Sequence, residues 1–344
     1  MRSRCAVYVD AGYLLASAAT RVTGTSLRSG VHVIHERLIT AITEQAEQSS
    51  GLPLLRVNWY DSGGRPGGTA DPIQEQIGLL PRVKLRLGRL SHSGEQKGVD
   101  LRIGLDLIMH ARNQAVDVMY LVSGDDDLTE AVEEVQGHGI PVILLAVPNA
   151  DGRPHAVSRH LQREADGIET LNPEAIDSSV IAVRAHKVPE PALLPPAAAA
   201  GAAGTAEEAV AAAPGGTTRP SPTLLAHRRP APRAVEPVPA ARAPSAQLVY
   251  SSATGQASSA DGPEPTVTTE LVDEVCASVL STWLNGASQD QIATLRGARP
   301  LIPGELDRAL LTDLSGRINV YYVEEDTRRL LRERFWVQLE RIAG

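Results

Sequence analysis

From residue 1 to about 180, short aliphatic runs alternate with stretches of helical spacing, and this alternation leaves few architectures open. The runs are Ala6–Val9, Leu54–Ser62, Arg82–Leu90, Val116–Gly124, Ile140–Pro148 and Gly167–Leu171. Between them, Tyr13–Val22, Val31–Gln48, the stretch after Pro72, Asp127–Gly139 and His155–Glu164 read as helices. Lys97–Gln114 fits both periods. Val99, Leu101, Ile103, Leu105 and Leu107 alternate as in a strand, while Val99, Ile103, Leu107 and Ala111 form an i+4 row. Its length favours a helix. Strands that alternate with helices pair in parallel, so the expected class is α/β, a doubly wound parallel sheet. In such sheets functional groups gather beyond the carboxyl ends of the strands.

The acidic residues follow that rule. Asp10 ends the first run, in "YVDAG"; Asp125 follows another, in "LVSGDDDL"; Asp127 comes two residues later; Asp100 stands near the start of the "KGVD" helix. Were the two strands central neighbours, all four would face one crevice. Carboxylates ~5 Å apart repel by roughly 3 kcal/mol at an effective dielectric of about 20. Several such pairs would cancel much of the ~5–15 kcal/mol that keeps a domain folded. Protonation, basic side chains or a divalent cation must offset them. An all-carboxylate set without Cys or His suits Mg²⁺ or Mn²⁺, ions that activate water for attack on phosphodiesters. A capping role competes at each position, above all at Asp127, where a helix begins.

"YVDAG", "KGVDLRIGLDLI" and "LVSGDDDLTEAVEEVQGHGIPVILL" together resemble the NYN domains, of the LabA/DUF88 type within the PIN-like nuclease superfamily. The resemblance spans roughly residues 4–172. It implies a PIN-like α/β/α sandwich and a Mg²⁺- or Mn²⁺-dependent ribonuclease. Carried over by motif, the catalytic and metal-binding set is Asp10, Asp100, Asp125 and Asp127. Asp106 matches a second acidic position on the "KGVD" helix and ranks as supporting or structural. Asp126 takes the variable position between two matched aspartates and is expected to be solvated. Many relatives carry Asn where this chain has Tyr13, and Phe where it has Leu128. The first change removes a polar group from the expected site. A second reading is therefore an RNA-binding or regulatory NYN scaffold with weak or no catalysis.

Lys97 is a candidate phosphate contact or charge balance, and Ser123 a candidate support for Asp125. Gly98 and Gly124 would admit close backbone approach. Arg82, Lys84 and Arg86 recur at period two, with Arg89 three residues on, as an RNA path or a solvated face. Phosphotransfer is disfavoured. A haloacid-dehalogenase-type site needs a second Asp where Gly12 stands, and no receiver-type Lys follows Ala131.

Beyond residue 184 the composition shifts. More than half of the chain's 24 prolines lie between 185 and 266, which cannot bury enough apolar surface to order itself. From 267 onward three helical patterns, the alternating "INVYYVEED" and a last helix suggest a winged-helix-like module. The predicted division is an NYN/PIN-like domain at 1–180, a disordered Ala/Pro-rich linker at 185–266 and that small α-rich module at 267–344. The linker holds one basic cluster, His227–Arg233, and would let the module recruit RNA or a protein partner at variable distance. Arg328, Arg329, Arg332 and Arg334 near Trp336 could stack on RNA, but acids lie among them and an amphipathic helix is the better reading.

The net charge of -8 gives no global attraction to nucleic acid, so binding needs local basic groups or metal ions. Cys5 and Cys276 form no zinc motif or disulfide framework. No apolar run reaches the ~18–20 residues of a membrane span. Arg2 and Arg4 precede an apolar stretch as in a secretion signal, but Asp10 interrupts it. The expected protein is soluble and cytoplasmic.

Overall fold

The computed structural model describes residues 3–65, 68–90, 96–183, 267–318, 320 and 323–343. In chain order the first half forms β1 (Cys5–Asp10), α1 (Ala11–Thr23), β2 (Val31–Val33), α2 (His35–Ser50), β3 (Leu54–Ser62) and α3 (Pro72–Leu79). Then come β4 (Val83–Leu90), β5 (Gln96–Lys97), α4 (Val99–Arg112), β6 (Val118–Val122), α5 (Thr129–Gly137) and β7 (Val142–Ala146). α6 (Arg159–Glu164), β8 (Gly167–Thr170), α7 (Pro173–Ser179) and β9 (Val180–Ala182) follow. The C-terminal helices are α8 (Thr269–Leu284), α9 (Gln289–Gly297), α10 (Gly304–Ile318) and α11 (Glu325–Ala343).

The main sheet runs β5-β4-β3-β1-β6-β7-β8. Every pairing is parallel except that of the two-residue edge strand β5 with β4. Strand side chains alternate between faces. Cys5, Val7 and Val9 of β1 therefore pack with α1 and α2, while Ala6 and Tyr8 pack with α4 and α5. The result is the expected α/β/α sandwich around a central parallel sheet, with a C-terminal helical region. After β1 the chain builds outward through β3 and β4. It then crosses back through α4 to place β6 on the other side of β1. The carboxyl ends of β1 and β6 flank that reversal, where open α/β sheets bind ligands.

The ambiguous stretch is a helix. Its i+4 row Val99, Ile103, Leu107 and Ala111 is buried, and the other members of the alternation, Leu101 and Leu105, are 67% and 57% exposed. One expectation fails: Val31–Val33 is not the start of α2. It pairs antiparallel with Val180–Ala182, and the helix starts at His35. Nothing local disfavours a helix at 31; the partner strand, almost 150 residues away, decides it.

The Ala/Pro-rich segment 185–266, with its basic cluster at 227–233, lies outside the described residues. So does part of the alternating stretch 318–326, from which a β element was expected. Ser288 caps α9 in a reciprocal capping box with Gln291. Leu331 and Trp336 of α11 are buried, and Arg332 and Arg334 pair with Asp307 and Asp273. These two arginines tie helices together rather than lining a free surface.

The C-terminal helices are not held at a variable distance. Residues 1–187 and 263–344 form one compact unit. The segment after α1 reaches into their core: Leu27 is fully buried among Val272, Leu310 and Leu314. Beside it the Ser26 N–H donates to Asp313 Oδ1 (2.9 Å) and the Ser29 N–H to Glu305 Oε1 (2.9 Å). Leu27→Ala leaves a cavity there. It is expected to destabilise the C-terminal helices by about 2–5 kcal/mol, read as faster amide exchange in α8 and α10. Unchanged exchange would show that this plug does not hold them. Among the described residues no helix is long and apolar enough to cross a membrane.

Candidate acidic site at the carboxyl end of the sheet

Parallel pairing sets Val9 beside Val122, so Asp10 and Ser123 leave the sheet side by side. Asp10 caps α1: its Oδ1 accepts the Tyr13 N–H at 3.2 Å, and its Oδ2 accepts the Ser123 hydroxyl at 3.4 Å. The Ser123 hydroxyl also accepts the Asp125 N–H (3.2 Å). Ser123 is fully buried and links the two strand-end aspartates. Asp125 caps the short 3-10 turn Asp126–Leu128, its Oδ1 accepting the Asp127 N–H at 3.1 Å. The capping role expected at Asp127 thus belongs to Asp10 and Asp125, and Asp127 is exposed. Asp100 arrives from the opposite side, in the first turn of α4, after Gly98 turns the chain with φ 82°. A side chain there would be strained.

The four acids share one electrostatic field. Burial pushes the Asp10 carboxyl up to about 6; the Tyr13 and Gly12 N–H groups oppose this, and the charges of Asp100 and Asp125 add to it. Burial also raises Asp100, followed by the charges of Asp125 and Asp127. A carboxylate that holds a proton this tightly also gains from a cation. Four carboxylates and no thiol or imidazole are the donor set of a hard divalent ion. In the present placement, no three acidic, histidine or cysteine side chains among the described residues close into a ligand cluster. The donor chemistry fits such an ion, and the four carboxylates are not drawn into one closed shell here.

Asp106 is elsewhere in purpose. It is 6% exposed, accepts the Tyr60 hydroxyl at 2.9 Å and lies 3.2 Å from Arg86 Nε. Next to it the Tyr8 hydroxyl meets His110 Nδ1 at 2.7 Å. This polar knot ties α4 to β1, β3 and β4, and it takes Arg86 out of the basic row on β4. The Lys97 side chain lies outside the described residues.

Asp126 is not simply solvated as expected. It accepts the Ser158 hydroxyl and lies 3.6 Å from His160 Nδ1. Tyr13 has a part that the sequence did not reveal. Its hydroxyl donates to the His155 carbonyl (2.8 Å) and accepts the Val147 N–H (3.2 Å). It therefore pins the 147–158 loop over the site and offers no free polar group to it. The Ser158 N–H bonds the Gly124 carbonyl at 2.9 Å. The turn-rich "PNADGRP" after β7 was the only sequence signal of this loop, and it does not say where the loop folds.

The NYN domain family model matches residues 4–172. An uncharacterized protein of Sinorhizobium fredii, y4oD, is 41% identical over 93 residues, 27% of this chain and 42% of that protein. The chain thus spans about two fifths of that relative. Among solved structures, a protein of unknown function from Vibrio parahaemolyticus shares 21% identity over 52% of this chain and 97% of its own, with a TM-score of 0.36. An isochorismatase-like hydrolase from Alkaliphilus metalliredigens shares 12% over 49% and 93%, with a TM-score of 0.26. Superpositions this loose add nothing to the fold argument. The matched residues run from the start of β1 past the end of β8 and contain every acid of the site, and on them this chain belongs to the NYN domain family, within the PIN-like nucleases.

Proposed function

We propose that the protein is a Mg²⁺- or Mn²⁺-dependent ribonuclease acting at Asp10, Asp100, Asp125 and Asp127. The observation that carries this reading is that Asp10 and Asp125 leave neighbouring strand ends joined through the buried Ser123 hydroxyl, and that they and Asp100 feel one another's charge. Without a cation the arrangement costs stability; with one it becomes attractive. Asp10, Asp100 and Asp125 would hold the ion, and the exposed Asp127 would complete its shell toward the RNA. The bound ion supplies an activated water and stabilises charge on the phosphate. Ser123 orients Asp10 and Asp125, Asp106 braces α4, and Lys97, beside Asp100 in the chain, contacts phosphate. Residues 1–180 carry the chemistry, 185–266 link, and 267–344 contact RNA or a protein partner in the cytoplasm.

Incubating mixed RNAs with and without Mn²⁺ tests this. Removing a second-sphere partner of a metal typically costs 10–100-fold, so Asp125→Asn, which removes a ligand, should lower cleavage by at least about 100-fold. Cleavage that is unchanged in that variant, or indifferent to chelation, would sink the assignment. The buried Tyr13 hydroxyl favours a second reading, an RNA-binding scaffold with little turnover. RNA retention without Mn²⁺-stimulated cleavage would select it.

A further inference from the structure

The sheet has a second feature at the same end, on its other face. Asp10 is level with Tyr60 across the β1–β3 pair, and the next residue, Asp61, turns to the α1–α2 side. There it borders a cavity of about 620 Å³, within the usual range for small-molecule sites. We propose that this cavity binds a nucleoside monophosphate unit, the terminal nucleotide of an RNA whose chain passes over the carboxyl edge to the acids.

The two walls differ in chemistry. One carries Arg28, whose guanidinium lies 3.9 Å from Asp61 Oδ1 of the other wall, with His32, His35 and the first turn of α2, which no side chain caps. The leading N–H groups of a helix have no partner within it, and together with the Arg28 guanidinium they suit a phosphate. The other wall carries Asp61, Asp71 and Gln74. These are engaged with one another: Asp71 caps α3, and Gln74 Nε2 donates to Asp61 Oδ2 at 2.9 Å. They form a fixed acceptor-rich surface, suited to the amino edge of a base. Leu15, Ile77 and Leu80 supply the apolar part. The groups converge on one space. His35 is lowered by burial and then feels Arg28, Asp61, His32 and Asp71 together. Its ring is held edge-on to Trp59, with centroids 6.1 Å apart.

The wall that carries Arg28 is not self-supporting. Arg28 and Ser29 follow Leu27, which is buried in the C-terminal core, and Gly30 abuts Thr282 so closely that a Cβ would lie 2.4 Å from its methyl. The C-terminal helices therefore set the shape of a site they do not line. The choice of a nucleotide rests on the ribonuclease reading; the binding itself does not.

Calorimetry on the full chain in EDTA tests the site with the acidic centre stripped of metal. The probes are AMP, GMP, CMP and UMP, with adenosine and inorganic phosphate as controls. At least one monophosphate is expected to bind with Kd below about 1 mM, and both controls about 10-fold more weakly. His35→Ala and Arg28→Ala should each weaken it about 10-fold. Ile73 lines the cavity and is 54% exposed, so Ile73→Trp should obstruct it while leaving the melting temperature unchanged. Saturation by no monophosphate overturns the proposal, as does binding indifferent to Ile73→Trp and His35→Ala. Equal binding of inorganic phosphate would also overturn it, leaving an anion site only. Asp125→Asn is expected to bind nucleotide normally, so failure at the acids and failure here give separate results.

Discussion

At pH 7 and without divalent ions, Asp10→Asn is expected to melt higher than the natural chain and, with Mn²⁺, to cleave no RNA. Burial pushes the Asp10 carboxyl up to about 6 in the folded protein, from 3.8 when unperturbed. Each pKa unit is worth about 1.4 kcal/mol, so ionised Asp10 costs the fold at most roughly 3 kcal/mol. The residue is partly exposed, and Asn Oδ1 can still accept the Tyr13 N–H, so the expected gain is about 1–2 kcal/mol. The folded pKa is raised, so the group's contribution to stability is full below about 4 and is lost as pH rises through about 6. Asp10→Asn should flatten that part of the stability-pH curve. A residual slope remains from Asp313, which burial also pushes up to about 6 where the C-terminal helices meet Ser26. Saturating Mn²⁺ should stabilise the natural protein at pH 7 and leave the variant unmoved. Chemical denaturation across pH 4–8, with and without Mn²⁺, measures all of this. A variant less stable than the natural chain at pH 7 would mean that Asp10 is a structural cap and nothing more.

Gly124→Ala is expected to cost about 3 kcal/mol or more and to lower cleavage with it. A Cβ at this position would lie 1.9 Å from the Ala156 carbonyl oxygen and 2.8 Å from Tyr13 Cε2. The nearer atom is backbone, held because the Ser158 N–H bonds the Gly124 carbonyl and the Tyr13 hydroxyl bonds the His155 carbonyl. Overpacking in a yielding core costs typically 1–3 kcal/mol; this loop has little room to yield, and Asp125 is the next residue. Equilibrium denaturation gives the first number and RNA cleavage the second. A fully stable, fully active Gly124→Ala protein would show that the loop does not close over the site as described.

Much of the architecture was legible because it rests on local pattern. The runs at β1, β3, β6 and β7 end where turn residues begin, and a hydrophobic strand buried on both faces needs no partner to be recognised. Asp10 and Asp125 stood out because each follows such a run directly. The failures are all non-local. Val31–Val33 is a strand only because Val180–Ala182 lies beside it. Asp126 looks solvated until Ser158 arrives from a loop some thirty residues later. Leu27 looks like an ordinary loop residue, yet it is a core residue of helices that begin more than 240 positions on.

Composition, periodicity and the spacing of the acids by themselves determined a doubly wound parallel α/β sheet with carboxylates at its strand ends, because burial on both faces writes itself into consecutive residues. Only the tertiary structure decided that β6 returns beside β1, that Tyr13 faces the loop rather than the acids, and that the C-terminal helices seat against the segment after α1. Each of these is a contact between residues far apart in the chain, and its energy comes from the pairing itself rather than from either partner's local preference.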